Sequence, residues 1–214
     1  MENLYDKRKN YEKAELLESE IKNSPVEQFK IWFNEAESSP EISEANSMSI
    51  STVDSDGCPR TRIVLLKSYD EHGFVFFTNY DSQKGKSLIE TGKACLHFFW
   101  PNLERQICIK ATIEKVSEKN SEDYFHSRPR GSQLGAVVSP QSSEIPNREY
   151  LQNNLKILEK EFEGKEITRP KNWGGFRAIP YEIEFWQGRP NRLHDRIVYR
   201  KTEGENWRIS RLAP

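Results

Sequence analysis

The pattern of apolar and polar positions divides the chain into regions with different periods. Residues 5–22 are highly charged, with a helical tendency but only a weak apolar stripe, and this segment is expected to stay mobile until something orders it. Ser24-Pro25 then reads as an N-cap followed by proline at the first helical position, with Phe29, Trp32 and Phe33 at helical spacing as core anchors. From Met48 the period changes to that of strands. Residues 49–53, 62–69 and 74–78 are rich in β-branched and aromatic side chains, and Asp54-Ser55-Asp56-Gly57 and Asp70-Glu71-His72-Gly73 read as the turns between them. Ser82 is placed to cap a helix running to about Glu90. Residues 94–100 and 106–116 are further strands joined through Pro101-Asn102-Leu103-Glu104. In the second, Ile107, Ile109, Ala111 and Ile113 alternate with Gln106, Cys108, Lys110 and Thr112, which predicts a half-buried strand. Residues 121–138 read as helical with an interruption at Pro129. Residues 147–163 give the clearest helix, with Leu151, Leu155, Leu158 and Phe162 on one stripe. Trp173-Gly174-Gly175-Phe176 reads as a turn, followed by strands at 181–187, 192–200 and 207–212.

Short antiparallel strands with helices inserted or at the ends predict a mainly β, α+β architecture built on a barrel. There is no internal repeat, low-complexity segment or clear boundary. Residues 1–24 are therefore expected to form a mobile N-terminal segment and residues 25–214 a single domain.

Composition narrows the function. The 214 residues include 35% hydrophobic and 11% aromatic side chains, enough for a sizeable core. Lys and Arg total 32 against 33 Asp and Glu, so there is no basic excess of the kind a nucleic-acid or membrane-surface binder carries, and any anion recognition must be local. Cys58, Cys95 and Cys108 are odd in number and form no CxxC, which argues against a disulfide scaffold or a structural zinc site and for a reducing compartment. With no apolar leader at the N-terminus and no run of transmembrane length, a cytoplasmic protein is expected.

Several constellations could carry chemistry. If the stretch Arg192-Leu193-His194-Asp195-Arg196 is extended, Arg192, His194 and Arg196 project to one face, two fixed cations and an imidazole that suit an anion, with Trp186 upstream to meet a flat ring. The strand Arg62-Ile63-Val64-Leu65-Leu66-Lys67 carries a cation at each end. Five positions apart on a regular strand, these two face opposite sides and would serve different ligands unless a bulge intervenes; solvated strand ends explain the pattern equally well. Thr78 to Lys84 brings hydroxyls and a lysine to a helix N-terminus, where free N–H groups favour anions. Tyr124, Arg128 and Ser132 recur every four residues and converge on one side if the helical path survives Pro129, although a solvated helix end fits that spacing too. There is no GxGxxG, GKS/T, GxSxG or HExxH, and the four histidines lack metal spacing, so no metal is expected and redox chemistry would need an organic cofactor.

Together, Arg62-Ile63-Val64-Leu65-Leu66-Lys67, Phe125-His126-Ser127-Arg128-Pro129, Gln141-Ser142-Ser143, Trp173-Gly174-Gly175-Phe176, Phe185-Trp186-Gln187-Gly188, Arg192-Leu193-His194-Asp195-Arg196 and the terminal Arg211-Leu212-Ala213-Pro214 resemble, in order, the pyridoxamine/pyridoxine 5′-phosphate oxidases. The resemblance runs from about Phe29 to the last residue. It implies an FMN-binding split β-barrel of antiparallel strands with peripheral helices, working as a homodimer with FMN between subunits. The implied reaction oxidises pyridoxamine or pyridoxine 5′-phosphate to pyridoxal 5′-phosphate by hydride transfer from C4′ to the flavin, with O2 as acceptor and H2O2 as product. By resemblance, FMN contacts fall on Arg62, Ile63, Val64, Leu65, Leu66, Lys67, Phe77, Thr78, Gln83, Lys84, Gln106, Gln141, Ser142, Trp186 and Arg196. Substrate contacts fall on Lys67, Tyr124, Arg128, Ser132, Arg192 and His194, the last two in catalytic roles over the pyridine ring.

The chain departs from the family pattern twice. Gln83 stands where many members have Arg, which removes a cation near the FMN phosphate and implies weaker binding. Arg8-Lys9-Asn10-Tyr11 matches only in part an Arg-Arg-x-Tyr-like patch over the active site, and extends the substrate contacts to Arg8 and Tyr11. Two rivals are a split-barrel flavin oxidase of the phenazine-biosynthesis type, which would not need Tyr124, Arg128 and Ser132 together for a phosphate, and a non-catalytic flavin- or pyridoxal-phosphate-binding protein.

Overall fold

In the computed structural model the elements run α1 (Pro25–Ser38), β1 (Ser47–Val53), β2 (Pro59–Leu65), β3 (Ser68–Asp70), β4 (Gly73–Asn79), α2 (Gln83–Thr91), β5 (Lys93–Trp100), β6 (Arg105–Lys115), α3 (Glu118–Ser127), α4 (Arg130–Val138), α5 (Arg148–Glu161), β7 (Trp173–Gln187), β8 (Asp195–Lys201) and β9 (Trp207–Arg211). The structure describes residues 2–214; Met1, first in the N-terminal segment marked out by the sequence, lies outside the described residues. The chain divides into two compact units, one of Met1–Ile50, Cys95–Ala111 and Pro180–Pro214, the other of Ser51–Ala94 and Thr112–Ile179.

In the first unit, the Ser24 side chain accepts from the Glu27 amide and starts α1, as the Ser-Pro pair predicts. Phe29, Trp32 and Phe33 are buried; Phe29 meets Phe98 edge-on at 5.2 Å and Trp32 meets Phe185 at 5.2 Å. The expected alternation of β6 holds, with Ile107, Ile109 and Ala111 buried. The second half of β7 pairs antiparallel with β8 (Glu182↔Arg200 to Gln187↔Asp195), and β8 with β9. The helical tendency of residues 5–22 is not realised, and no helix forms there. Without an apolar stripe a helix has no face to bury. The backbone instead bonds to distant carboxylates: the amides of Glu12 and Lys13 donate to Glu104, and that of Leu16, a buried residue, donates to Asp195.

In the second unit, the run predicted as one strand over 62–69 is broken at Leu66-Lys67 into β2 and β3. β3 pairs with β4, and β4 pairs with the first half of β7. Trp173-Gly174-Gly175-Phe176 is therefore not a turn but the start of β7, opposite Asn79, Thr78, Phe77 and Phe76. Its glycines permit close approach rather than reversal: a Cβ on Gly174 would lie 2.2 Å from the Tyr80 hydroxyl, and one on Gly175 would lie 2.7 Å from the Phe77 ring. Ser82 caps α2 by accepting from the Gly85 amide, and Gly92, at φ 63°, ends it. α3 and α4 are separated at Arg128-Pro129, the predicted interruption. α5 forms where the leucine stripe predicts, but the stripe is only half-buried. Leu155, Leu158 and Phe162 rest against the buried cluster of Phe125, Leu134, Ile167 and Trp173. Among the described residues, no helix is long and apolar enough to cross a membrane.

Candidate active site

Each unit carries a cavity that gathers residues singled out in the sequence. The cavity of the second unit has a volume of about 610 Å³. Lys67 enters it because the break after β2 is pinned by the Lys67 amide donating to the Val75 carbonyl at 2.8 Å. Ile63, Val64 and Leu65 of β2 and Phe77 and Thr78 of β4 line it, as does Lys84 from the first turn of α2. The Lys84 ammonium donates to Thr78 Oγ1 at 3.0 Å and to Gln141 Oε1 at 3.1 Å. Burial, with the nearby Arg62 charge, pushes its pKa down to about 8.

Tyr124, Arg128 and Ser132 all reach this cavity, though not by the helical spacing that picked them out. The helix stops at Ser127 and Arg128 is extended, with ψ at 149°. Proline at 129 disfavours a helical backbone at the preceding residue, and the resulting bend brings the three side chains to the cavity. Tyr124 stacks on Phe77 at 4.0 Å, and Phe77 on Trp173 at 5.7 Å. The Arg128 guanidinium lies 4.6 Å from the Trp173 ring centre, and its buried Nη1 has no hydrogen-bond partner among the described residues. Burial lowers the Arg128 pKa. Among the described residues, no carboxylate lines the cavity, so Lys67, Lys84 and Arg128 give it a positive character.

Of the expected FMN contacts that belong to this unit, four are not among its lining residues. Arg62 donates instead to Thr52 Oγ1 at 2.7 Å, and Leu66 is buried. Gln83 is held by Arg60 and by Asp54, to which its amide donates at 2.6 Å. Ser142 is exposed with a φ of 71°. Sequence reasoning missed Trp173 as a lining residue. The available signal was an aromatic beside two glycines that admit neighbouring rings.

The cavity of the first unit, about 630 Å³, is lined by Trp186, Arg189, Asn191, Arg192 and His194 together with residues 7–11, so that Arg8 and Tyr11 do lie beside Arg192 and His194. Trp186 and His194 are 4.6 Å apart, and Tyr11 stands 5.7 Å from each. The Arg189 amide donates to His194 Nδ1 at 3.0 Å, which places the proton of the neutral ring on Nε2. Burial and the Arg192 charge lower the His194 pKa, which favours the neutral imidazole.

The strand expected over 192–200 begins only at Asp195, and Arg192, His194 and Arg196 do not share a strand face. Pro190 fixes a turn-like φ, Asn191 and Arg192 adopt φ values of 56° and 63°, and a 3-10 turn replaces the alternation. Leu193 is 69% exposed. Arg196, on β8, is gripped by both oxygens of Glu184 at 2.8 and 3.0 Å and lines neither cavity; nor does half-buried Gln106. Among the described residues, no group of three His, Cys, Asp or Glu is placed to hold a metal ion.

Two family models match the chain: one described as pyridoxamine 5′-phosphate oxidase over residues 35–157, and one described as the pyridoxine 5′-phosphate oxidase C-terminal dimerisation region over residues 173–214. A protein of Christiangramia forsetii named pyridoxine/pyridoxamine 5′-phosphate oxidase is 58% identical over 97% of this chain and 96% of its own length. One of the same name from Flavobacterium johnsoniae is 52% identical over the whole of both chains. Among solved structures, PhzG of Burkholderia lata, in complex with tetrahydrophenazine-1-carboxylic acid, superposes with a TM-score of 0.85 at 28% identity, covering 92% of this chain and 95% of that one. A pyridoxamine 5′-phosphate oxidase-related, FMN-binding protein of Nostoc punctiforme shares the fold, with a TM-score of 0.71 at 14% identity over 89% of this chain and 98% of that one. These likenesses show the expected α+β split-barrel fold, and the relatives show that the chain belongs to the pyridoxine/pyridoxamine 5′-phosphate oxidase family of oxidoreductases.

Proposed function

We propose that the chain is an FMN-dependent oxidase that converts pyridoxamine 5′-phosphate and pyridoxine 5′-phosphate to pyridoxal 5′-phosphate, with O2 reduced to H2O2 and ammonia released from the amine. The observation that carries this reading is the cavity with Lys67, Lys84 and Arg128 and no carboxylate, in which a buried Arg128 N–H lacks a partner. An unsatisfied buried donor costs roughly 1–3 kcal/mol, more when charged, and a phosphate oxygen would remove that penalty.

The residues present fit two phosphates. Lys84 at the start of α2, which donates to Gln141 Oε1, would hold that of FMN together with Arg62 and Ser142; Lys67, Tyr124, Arg128 and Ser132 would hold that of the substrate. The Phe77–Tyr124–Trp173 stack offers a flat apolar wall for a ring. FMN, when bound, supplies the acceptor for the electron pair removed from the substrate. Arg192 and His194 orient the pyridine ring. With Nδ1 already accepting from Arg189, His194 acts as an Nε2–H donor to a ring substituent rather than as a base through Nδ1. Arg196, held by Glu184, and Trp186 belong to the flavin side of this reading. A homodimer with FMN between subunits is supported by the match of residues 173–214, which contain Trp186, Arg192, His194 and Arg196, to a dimerisation region. A cytoplasmic location fits three free thiols.

The test is to purify the protein, record flavin absorbance and measure O2 uptake and H2O2 release. Turnover is expected with pyridoxamine 5′-phosphate and not with unphosphorylated pyridoxamine. Equal rates with the two would refute the phosphate assignment, and bound flavin with no O2 uptake would favour a binding protein.

A further inference from the structure

Glu104 ends the turn between β5 and β6 and is a charged residue only 2% exposed, with a left-handed φ of 56° that non-glycine residues adopt rarely and at a cost. Its carboxylate faces the N-terminal strap. Oε2 accepts from the amides of Glu12 at 2.8 Å and Lys13 at 3.0 Å, and Oε1 lies 3.6 Å from the Lys9 ammonium. Its backbone faces the opposite way: the Glu104 carbonyl accepts from the Gly188 amide at 2.7 Å and from the Gln187 side chain at 3.2 Å. One residue thus ties the strap to the segment that leads from Trp186 to His194. Between the two tethered stretches of strap sits Tyr11, packed on Trp186 and His194. Gly188 is bare for it, since a Cβ there would lie 2.7 Å from Tyr11 Cγ.

We infer that Glu104 is a positioning residue: its buried carboxylate docks the strap of residues 7–16 so that Arg8 and Tyr11 complete the cavity of Arg192 and His194. The two amide bonds to one desolvated carboxylate are charge-assisted, and with the Lys9 ion pair at 3.6 Å they offset the ordering of a segment that forms no helix of its own. The kinetic consequence rests on the oxidase reading; the docking itself does not. Because Glu104 touches neither cavity, its loss should weaken substrate binding and leave the chemical step.

The experiment pairs amide hydrogen exchange on the ligand-free protein with steady-state kinetics. In Glu104→Ala, the amides of Glu12 and Lys13 are expected to lose protection by about tenfold or more, while the Gly188 amide, bonded to the backbone of residue 104, keeps its protection and reports an intact fold. KM for pyridoxamine 5′-phosphate rises about tenfold with kcat within about twofold. Glu104→Gln, whose amide oxygen still accepts, restores most of the protection. Gly188→Ala, which pushes Tyr11 away from the other side, reproduces the KM rise. Wild-type exchange at residues 12 and 13 in Glu104→Ala overturns the inference, and so does a released strap with an unchanged KM. Exchange is read without substrate, so a wild-type protein lacking oxidase activity would overturn the oxidase reading and leave exchange to decide the docking.

Discussion

Arg128 and Lys84 are cations held partly out of water before any ligand arrives, and this makes their contributions to stability and to function oppose each other. Arg128 has a buried Nη1 with no partner. Replacing it by methionine removes a desolvated charge and keeps contact with the Trp173 ring, so the ligand-free thermal midpoint should stay level or rise. KM for pyridoxamine 5′-phosphate should rise at least about tenfold. Calorimetry and steady-state kinetics on one preparation check both, and a large fall in midpoint would contradict the view of Arg128 as an unpaired cation. For Lys84 the pKa falls from 10.5 to about 8 on folding. A lysine with a depressed folded-state pKa destabilises the chain while protonated; that penalty is full below about pH 8 and fades toward pH 10.5. Anion binding needs the protonated form. FMN affinity, followed by quenching of flavin fluorescence, should therefore fall above about pH 8 by up to about tenfold per pH unit, and Lys84→Met should flatten the profile. The spacing of Tyr124, Arg128 and Ser132 pointed to a shared target. Their meeting depends on the extended backbone at Arg128, which periodicity does not encode.

At the scale of elements, alternation and capping were legible where one chain segment decides its own structure. Ser24, Ser82 and the alternating β6 behave as local rules require. Glycine was misleading because it serves two purposes. Gly174 and Gly175 resemble a reversal in sequence, yet they sit in an extended strand where Tyr80 and Phe77 press on the backbone. A Cβ at Gly175 would meet Phe77 at 2.7 Å. Gly175→Ala is thus expected to destabilise the chain by about 1–3 kcal/mol. It should also disturb the stack of Phe77 on Tyr124, seen as a lower thermal midpoint together with a raised KM. The segment 192–196 carries the opposite lesson. Its charges were recognised, but Pro190 and Asn191 turn the backbone and give Arg192 and Arg196 different surroundings.

At the scale of the molecule, the residues of the proposed site fall in two compact units, each with its own cavity. If the working site is shared between subunits of a homodimer, one chain supplies Arg128 and the other Arg192. Mixing an Arg128→Ala chain with an Arg192→Ala chain, after unfolding and refolding together, and assaying well below KM, where each variant alone keeps only about a tenth or less of wild-type activity, should then recover roughly a quarter of wild-type activity, since half the dimers are mixed and each has one intact site. The recovered protein should sediment at twice the 25.1 kDa of one chain. No recovery, with the dimer intact, would place both groups in one subunit's site.

In the sequence by itself, the ordered motifs carried the family resemblance, and side-chain chemistry, periodicity and caps, which are local properties, carried the strand-rich α+β class, the capped helices and the choice of Lys67, Lys84, Arg128, Arg8 and Arg192 among the cations now found at a cavity. Tertiary structure alone decided that a buried Arg128 N–H is left without a partner among the described residues, that Arg196 is neutralised by Glu184, that Gln83 is occupied by Asp54 and Arg60, and that Glu104 holds the N-terminal strap. Each of these depends on a residue far away along the chain. Burial and hydrogen-bond satisfaction are properties of the packed neighbourhood, and no reading of successive residues contains them.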